Sequence, residues 1–455
     1  MPKKPNILLI TCDQLQAAAT GCYGNPDVKT PNIDALAKSG VRFSHGISNS
    51  PVCMAGRSVL MSGQHNRCCT GGEGNVHYSN GKPGSYPMPE YPGKGRLHFP
   101  EQALPEILQE NGYKTAVIGK WHMYTWPDVI GFDYYLIPRT HHVHSNQLYT
   151  ENGGPEINSN GWSVEFETDR ASQYIKDSSD EEPFFLYLNY SPPHPPVNDC
   201  PEKYLKMYDP EKLTLRENVD EESGFPGDYQ GRVYNFDYRY YELELPYTLQ
   251  PMDFNVRQLY ADYYGNVTWL DDNIGRIMQA LEESGKLEDT IVVFTADHGD
   301  NLGSHNRPGK GLPYDEAINI PMIYSQPGTI DSRVDEKQVA GLLDVAPSLL
   351  SMAGIEAPGH FFGKDVFKDQ ADVGIIEIFP GNIAARTSRF TAHLKIADKV
   401  QRLAFFDNQK DPFQMENLVG TESHSEEQNR LFALLENYHK EVAIMPQPDY
   451  GFVKT

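Results

Sequence analysis

Asn6-Ile7-Leu8-Leu9-Ile10-Thr11 is an unbroken apolar run closed by Cys12-Asp13-Gln14, the pattern of a strand buried on both faces. From Glu101 to Gly112 the rhythm changes. Leu104, Ile107 and Leu108 fall on one helical face, and Gly112 ends the helix. A second strand follows directly, Lys114-Thr115-Ala116-Val117-Ile118, and a third apolar run spans Phe184 to Tyr190. A longer helix is marked by Leu259, Tyr263, Val267, Leu270, Ile274, Met278 and Leu281, which recur at three- and four-residue steps until Gly285. It leads into the continuous strand Thr290 to Thr295. Helices alternating with continuous apolar strands predict an α/β fold, a large mixed and mostly parallel sheet sandwiched by helices. In such sheets ligands collect at the carboxyl ends of the strands, where Asp13, Lys120 and Asp297 lie.

The pattern weakens between Cys200 and Asp253, where proline, tyrosine and acidic residues dominate, as in Asp237-Tyr238-Arg239-Tyr240-Tyr241. This stretch reads as a loop-rich insertion, either a rim to a pocket or a plain surface loop. Leu343 to Leu350 forms a further helix stopped by Gly354, and a Pro/Gly/Asp-rich stretch to about Val373 reads as a boundary. Beyond it come strand candidates at Phe390 to Ile396 and Gln401 to Phe406, a turn at Asp407 to Pro412, and a helix near Glu426 to Val442. The expected organisation is a catalytic domain at 1–372, carrying the 200–253 insertion, and a smaller C-terminal α+β subdomain at 373–455 built from an antiparallel sheet and the terminal helix.

The 455 residues exceed the usual single-domain size, which agrees with a large unit and a small one. The net charge of −23 argues against nucleic acid and anionic membranes as partners, and it demands a local cluster of cations wherever an anion is to bind. No window is long and apolar enough to cross a bilayer. The N-terminus runs straight into the first strand without the cleavage site of a leader, so a cytoplasmic location is expected. Six cysteines, with no Cys-x-x-Cys pair, make neither a disulfide framework nor a cysteine metal site, and reduced thiols fit that location.

Five segments carry the polar groups for chemistry on an anionic ester. Cys53-Met54-Ala55-Gly56-Arg57 opens a helix-like run, so Cys53 and Arg57 share a face near an N-terminus that favours a bound anion. A free cysteine in such a place is otherwise a small core residue. Asp13-Gln14 and Asp297-His298 end neighbouring strands and together offer an oxygen-rich site for a divalent cation, although Asp297 alone reads equally well as a helix cap. In Gly119-Lys120-Trp121-His122, Lys120 and His122 point to one side of an extended chain. His194 is fixed between prolines in Ser191-Pro192-Pro193-His194-Pro195-Pro196, a pre-positioned acid or base or a rigid surface loop. Lys310 lies between glycines in Pro308-Gly309-Lys310-Gly311, with His305 nearby as a candidate pocket residue. The imidazole-rich Arg139-Thr140-His141-His142-Val143-His144 is open to two readings, a second anion site or a solvated loop.

These segments, in this order from Asn6 to Ile323, resemble the type I (formylglycine-dependent) sulfatases of the alkaline phosphatase superfamily, whose signature is Cys-x-Pro-x-Arg. Ala55 stands where that family usually has proline, which bears on the maturase that acts on Cys53. The resemblance implies a sulfuric ester hydrolase in which Cys53 is oxidised to formylglycine and its hydrate attacks sulfur. It also implies one divalent cation held by Asp13, Gln14, Cys53, Asp297 and His298. Calcium is the family's usual ion, with magnesium and manganese as alternatives; the imidazole of His298 is a poor partner for hard calcium and suits manganese or zinc better. Arg57, Lys120 and Lys310 are implied to neutralise the transferring group, His122 to act on the hydrate, and His194 to protonate the leaving alcohol. The expected substrate is a small sulfated molecule, with a sulfated sugar as the leading choice. The alternative is a phosphonate monoester or phosphodiester hydrolase of the same superfamily, which the Lys120–His122 pair disfavours.

Overall fold

A computed structural model of the protein describes residues 3–443 except 73, 75–95, 97, 139–141, 222–254 and 308. Most of the expected insertion, residues 222–253, and the first half of the imidazole-rich segment, Arg139 to His141, therefore lie outside the described residues. Among the described residues ten strands form one sheet in the order Arg333–Gly341, Val41–Ile47, Met322–Ser325, Thr290–Ala296, Asn6–Asp13, Phe184–Pro193, Lys114–Gly119, Tyr134–Pro138, Leu148–Glu151 and Ile157–Asn158. The sheet is parallel through its centre, from Thr290–Ala296 to Tyr134–Pro138. Antiparallel pairs flank that centre at Met322–Ser325 and beyond Pro138. The expected mixed α/β sheet is present.

The register of the central strands builds the site. Cys12 pairs with Ala296, so Asp13 and Asp297 leave the sheet side by side. Gly119 pairs with Asn189, which brings Lys120 out at the same edge. The strand Asn6–Asp13 is buried at every residue, as its unbroken apolar sequence requires.

The long helix runs Val256–Glu283, capped by the Asn255 side chain, which accepts from the N–H groups of Arg257 and Gln258. Its apolar stripe is buried at Leu259, Tyr263, Val267, Leu270, Ile274 and Leu281. The earlier helix is shorter than the sequence suggested, Leu104–Glu110, because the Glu106 carboxylate turns back to accept from the Ala103 N–H at 2.8 Å. No helix of the described residues is long and apolar enough to cross a membrane.

The C-terminal strands Val373–Phe379, Asn382–Thr387, Phe390–Ile396 and Val400–Asp407 form a separate antiparallel sheet. The helix Ser425–Ala443 packs on it through Leu431, Leu435, Tyr438 and Val442, against Ile383, Ala385, Leu394 and Phe405. Its first strand is fastened to the loop that precedes Cys53. Asn49 Nδ2 donates to Ile375 O, Ser50 Oγ donates to Glu377 O, and Glu377 N donates to Asn49 O, each at 2.8 Å.

Candidate active site

Cys53 begins the helix Cys53–Ser62, all ten residues of which are buried. Gly56 is the position that allows this helix to sit so deep. A Cβ there would come within 2.7 Å of Asp297 O and 3.1 Å of Ser50 O, so any side chain would push the helix off the strand end that carries Asp297. Gly119 does the same for Lys120. It turns the chain at φ +95, and a Cβ would lie 2.2 Å from Asn189 O.

The expected site residues converge on the Cys53 sulfur. Lys310 Nζ lies 2.9 Å from Sγ, His298 Nε2 lies 3.2 Å away, and Asp13 Oδ1 lies at 3.7 Å. Arg57 Nη2 is 2.9 Å from both Asp13 Oδ2 and Asp297 Oδ2, and the Lys120 ammonium pairs with Asp13 Oδ2 as well. His194 is buried and His122 half-buried, and each comes within hydrogen-bonding reach of the thiol. His305 is held apart from this cluster. It stacks on Tyr314 at 3.8 Å and faces Asn218 Nδ2 at 3.1 Å and Glu316 Oε2 at 3.8 Å.

The electrostatics follow from three cations and two carboxylates out of water. Burial opposes ionisation of Asp13, but Lys120, His194, Arg57 and Lys310 hold its carboxyl well below the usual range. Asp297 moves the other way, pushed up by burial and by the charge on Asp13. The Cys53 thiol is held well below its ordinary value. Burial and Asp13 resist this, and Lys310, Lys120 and His298 outweigh them. His122 and His194 are pushed down, to about 4 and about 3, mainly by burial.

Four of these residues, Asp13, Cys53, Asp297 and His298, place ligand atoms within 4.8 Å of one another. The detailed geometry suits a cation. His298 Nδ1 lies 2.8 Å from Gly299 O, so the ring donates there and Nε2 is the nitrogen turned to the centre, the one a cation would take on displacing its proton. Gln14 gives its Nε2 donor to Asp300 and turns Oε1 inward, where a cationic group, the Lys310 ammonium, already sits 2.6 Å away. Both carboxylates spend Oδ2 on Arg57 and turn Oδ1 toward Cys53 and His298. Two carboxylates, an amide oxygen and an oriented imidazole make a donor set that fits a divalent cation.

Three contributors escaped the sequence reading. His142 stacks on His194 at 3.8 Å with an 11° tilt and lies edge-on to His122 at 6.4 Å. Asn189 donates through Nδ2 to Lys120 O while Thr11 Oγ1 donates to its Oδ1 at 2.5 Å, which fixes the Lys120 turn. Asp300 orients Gln14. A signal existed for two of them. His142 belonged to the imidazole-rich segment, and Asn189 is a polar residue inside the apolar run Phe184 to Tyr190.

A parallel-centred α/β sheet thus carries a buried cysteine, paired carboxylates and three cations at its strand ends. The model of the family described as Sulfatase matches residues 5–355, and the chain belongs to that family. It is therefore a sulfuric ester hydrolase. An ulvan-active sulfatase from Formosa agariphila is 31% identical to it over 95% of this chain and 81% of the relative. An N-acetylglucosamine-6-O-sulfatase from Bacteroides thetaiotaomicron is 24% identical over 96% of this chain and 87% of its own. Among solved structures, one determined in complex with its substrate D-glucosamine-2-N,6-O-disulfate shares the fold with a TM-score of 0.80, at 22% identity over 97% of this chain and 98% of that one.

Proposed function

We propose that this sulfatase removes sulfate from a sugar, using residue 53 after its conversion to formylglycine by a maturase. The carrying observation is the convergence of Lys310, His298 and Asp13 on Cys53 Sγ, with Arg57 and Lys120 directly behind. The relatives named for ulvan and for N-acetylglucosamine 6-sulfate support a carbohydrate substrate. Converted residue 53 supplies a hydrated aldehyde as nucleophile. A dication held by Asp13, Gln14, Asp297 and His298, proposed to be calcium, supplies Lewis acidity toward the oxygens it touches.

The chain's own residues do the rest. Lys310 and Lys120 neutralise negative charge at the sulfate, in a pocket where fixed cations act without reorganising. Arg57 holds the two carboxylates in place through Nη2 while its Nη1 donates to Lys120 O at 3.1 Å, a planar fork of donors that a lysine does not offer. His194 is the proton donor to the leaving alcohol. Its Nδ1 lies 2.7 Å from Pro195 O, so the neutral ring donates there and offers only a lone pair at Nε2. Donation from Nε2 therefore requires the imidazolium, and the negative charge of a bound sulfate ester is what restores that proton to a ring otherwise held down by burial and Lys310. His122 is the base that acts on the hydrated aldehyde. The reading takes residues 1–372 as the catalytic unit and 373–455 as a subdomain bracing the loop before Cys53 through Asn49 and Ser50.

The test uses matured protein against a panel of mono- and disaccharide sulfates, alongside an aryl sulfate and a phosphonate monoester of the same phenol. Turnover of a sugar sulfate with the phosphonate far slower is the expected result. Faster phosphonate cleavage overturns the assignment in favour of the rival superfamily activity.

A further inference from the structure

The site contains four donors of three chemical kinds around one point, and their spacing is specific. Cys53 Sγ to His298 Nε2 is 3.2 Å, Sγ to Asp13 Oδ1 is 3.7 Å, and His298 Nε2 to Oδ1 of Asp13 and of Asp297 is 3.6 Å in each case. A tetrahedron of ligands at zinc bond lengths has edges of about 3.3–3.8 Å. A six- to eight-coordinate oxygen cage for calcium needs more donors than this quartet offers and gains nothing from sulfur.

We propose that the unconverted chain, with Cys53 still a cysteine, is a four-coordinate zinc site of Asp13, Cys53, Asp297 and His298, and that conversion of Cys53 switches the site from a soft to a hard metal. The quartet is already oriented. The bond from His298 to Gly299 O aims its Nε2 inward. The backbone N–H groups of Gln14 and His298 hold the Asp297 carboxylate at 3.0 and 2.9 Å through Oδ1. Arg57 anchors the far oxygens of both carboxylates. All four side chains are buried, so the site is shielded from competing water. On binding, the sulfur enters as the thiolate and forms the sulfur–zinc bond, nothing is oxidised, and the Lys310 ammonium yields the sulfur while keeping Gln14 Oε1. Removing the sulfur leaves two carboxylates, the Gln14 amide oxygen and one imidazole, a set with no thiolate to favour zinc. Zinc bound to the cysteine form blocks the very atom that a maturase must reach, so conversion has to precede zinc loading.

The experiment uses the full chain produced without maturase, its intact mass verifying an unmodified Cys53, stripped with chelator and titrated first with cobalt(II) and then with zinc. One cobalt per chain, with thiolate-to-metal charge transfer and tetrahedral d–d bands that zinc abolishes, is the expected result. Cys53→Ser should lose the charge transfer and weaken zinc binding by at least ~100-fold, more than loss of an outer partner costs. Should that variant fold poorly, alkylation of Cys53 in the unaltered chain gives the same answer, since stoichiometric zinc should block it. Cobalt spectra without sulfur character, or alkylation indifferent to zinc, overturn the proposal. Hydrolysis of sulfate esters by the matured chain is a separate measurement, so failure of either reading is seen independently of the other.

Discussion

Arg57→Met should destabilise the protein more than Lys120→Met, although both remove one buried cation of nearly equal length. Arg57 is fully buried, and its Nη2 touches Asp13 and Asp297 at 2.9 Å each. Among the described residues, Asp297 has no other lysine or arginine at contact distance, whereas Asp13 keeps Arg57 when Lys120 is lost. Breaking a buried pair by removing one partner costs about 3–5 kcal/mol. The lysine substitution, which leaves Asp13 still paired, should cost roughly 1–3 kcal/mol. A pH dependence follows from Asp297, whose carboxyl already titrates above the usual range in the fold. Between the unfolded and folded pKa values the folded state holds a proton that the unfolded state has released, so stability falls as pH rises through the folded value. Arg57→Met raises that value further, so the deficit should grow as pH rises and level off above the variant's folded value. Guanidinium unfolding of chelator-treated protein at several pH values, compared at constant slope, measures this. A deficit below about 1 kcal/mol at neutral pH, or a larger one for Lys120→Met, refutes the reasoning.

Other outcomes are expected. Matured protein should show, at the Cys53 peptide, a side chain that has lost sulfur and gained oxygen by mass spectrometry, and Cys53→Ala should abolish turnover with far-UV circular dichroism unchanged. His194→Ala should slow sugar sulfates by ~10²–10⁴-fold and nitrophenyl sulfate far less, and equal losses on both would remove the proton-donor role. Glu167, buried and hydrogen-bonded by Tyr149 OH at 2.7 Å, is held up to about 8 by burial from a reference of 4.5. Its folded pKa is the higher one, so its contribution is complete below the unfolded value and declines by ~1 kcal/mol per pH unit until it is gone above about 8. Glu167→Gln should flatten that decline in unfolding midpoints across the same pH range, and an unchanged slope would show that Glu167 is ionised in the fold.

Local sequence carried the centre of the sheet because those strands are buried on both faces and cannot alternate. Asn6–Asp13 and Thr290–Ala296 are buried from end to end around the apolar runs Ile7 to Ile10 and Ile291 to Phe294. The flanking strands hid for the opposite reason. Val41–Ile47 reads Val-Arg-Phe-Ser-His-Gly-Ile and is only partly buried, and Arg333–Gly341 is exposed through much of its first half. The C-terminal sheet was half legible. Phe390–Ile396 and Val400–Asp407 stood out, whereas Val373–Phe379 merged into a stretch dominated by glycine, proline and aspartate. At the site, motif order located residues along the chain but said nothing about facing. Lys310 and His305 lie five residues apart, yet Lys310 reaches Cys53 and His305 stacks on Tyr314. That divergence belongs to a loop with left-handed residues at Leu302, Gly303, His305, Asn306, Gly309 and Gly311, where no periodicity exists to read. His142 had the same obstacle, since only tertiary packing makes an imidazole in a loop into a stacking partner for His194.

Charge balance ties maturation to substrate capture. The chain carries a net −23, so attraction of a sulfate ester has to arise locally. With Cys53 ionised, the thiolate joins Asp13 and Asp297 among Arg57, Lys120, Lys310 and His298, and the sulfur takes the Lys310 ammonium for itself. In that state Lys310 is engaged by the sulfur rather than turned to an anionic ester. Under the proposed conversion, exchange of the thiolate for an uncharged aldehyde would remove one anion and release Lys310 from the sulfur. On that reading residue 53 would set affinity as well as nucleophilicity, and the same modification that lets the acidic chain act would open its cations to an anionic substrate.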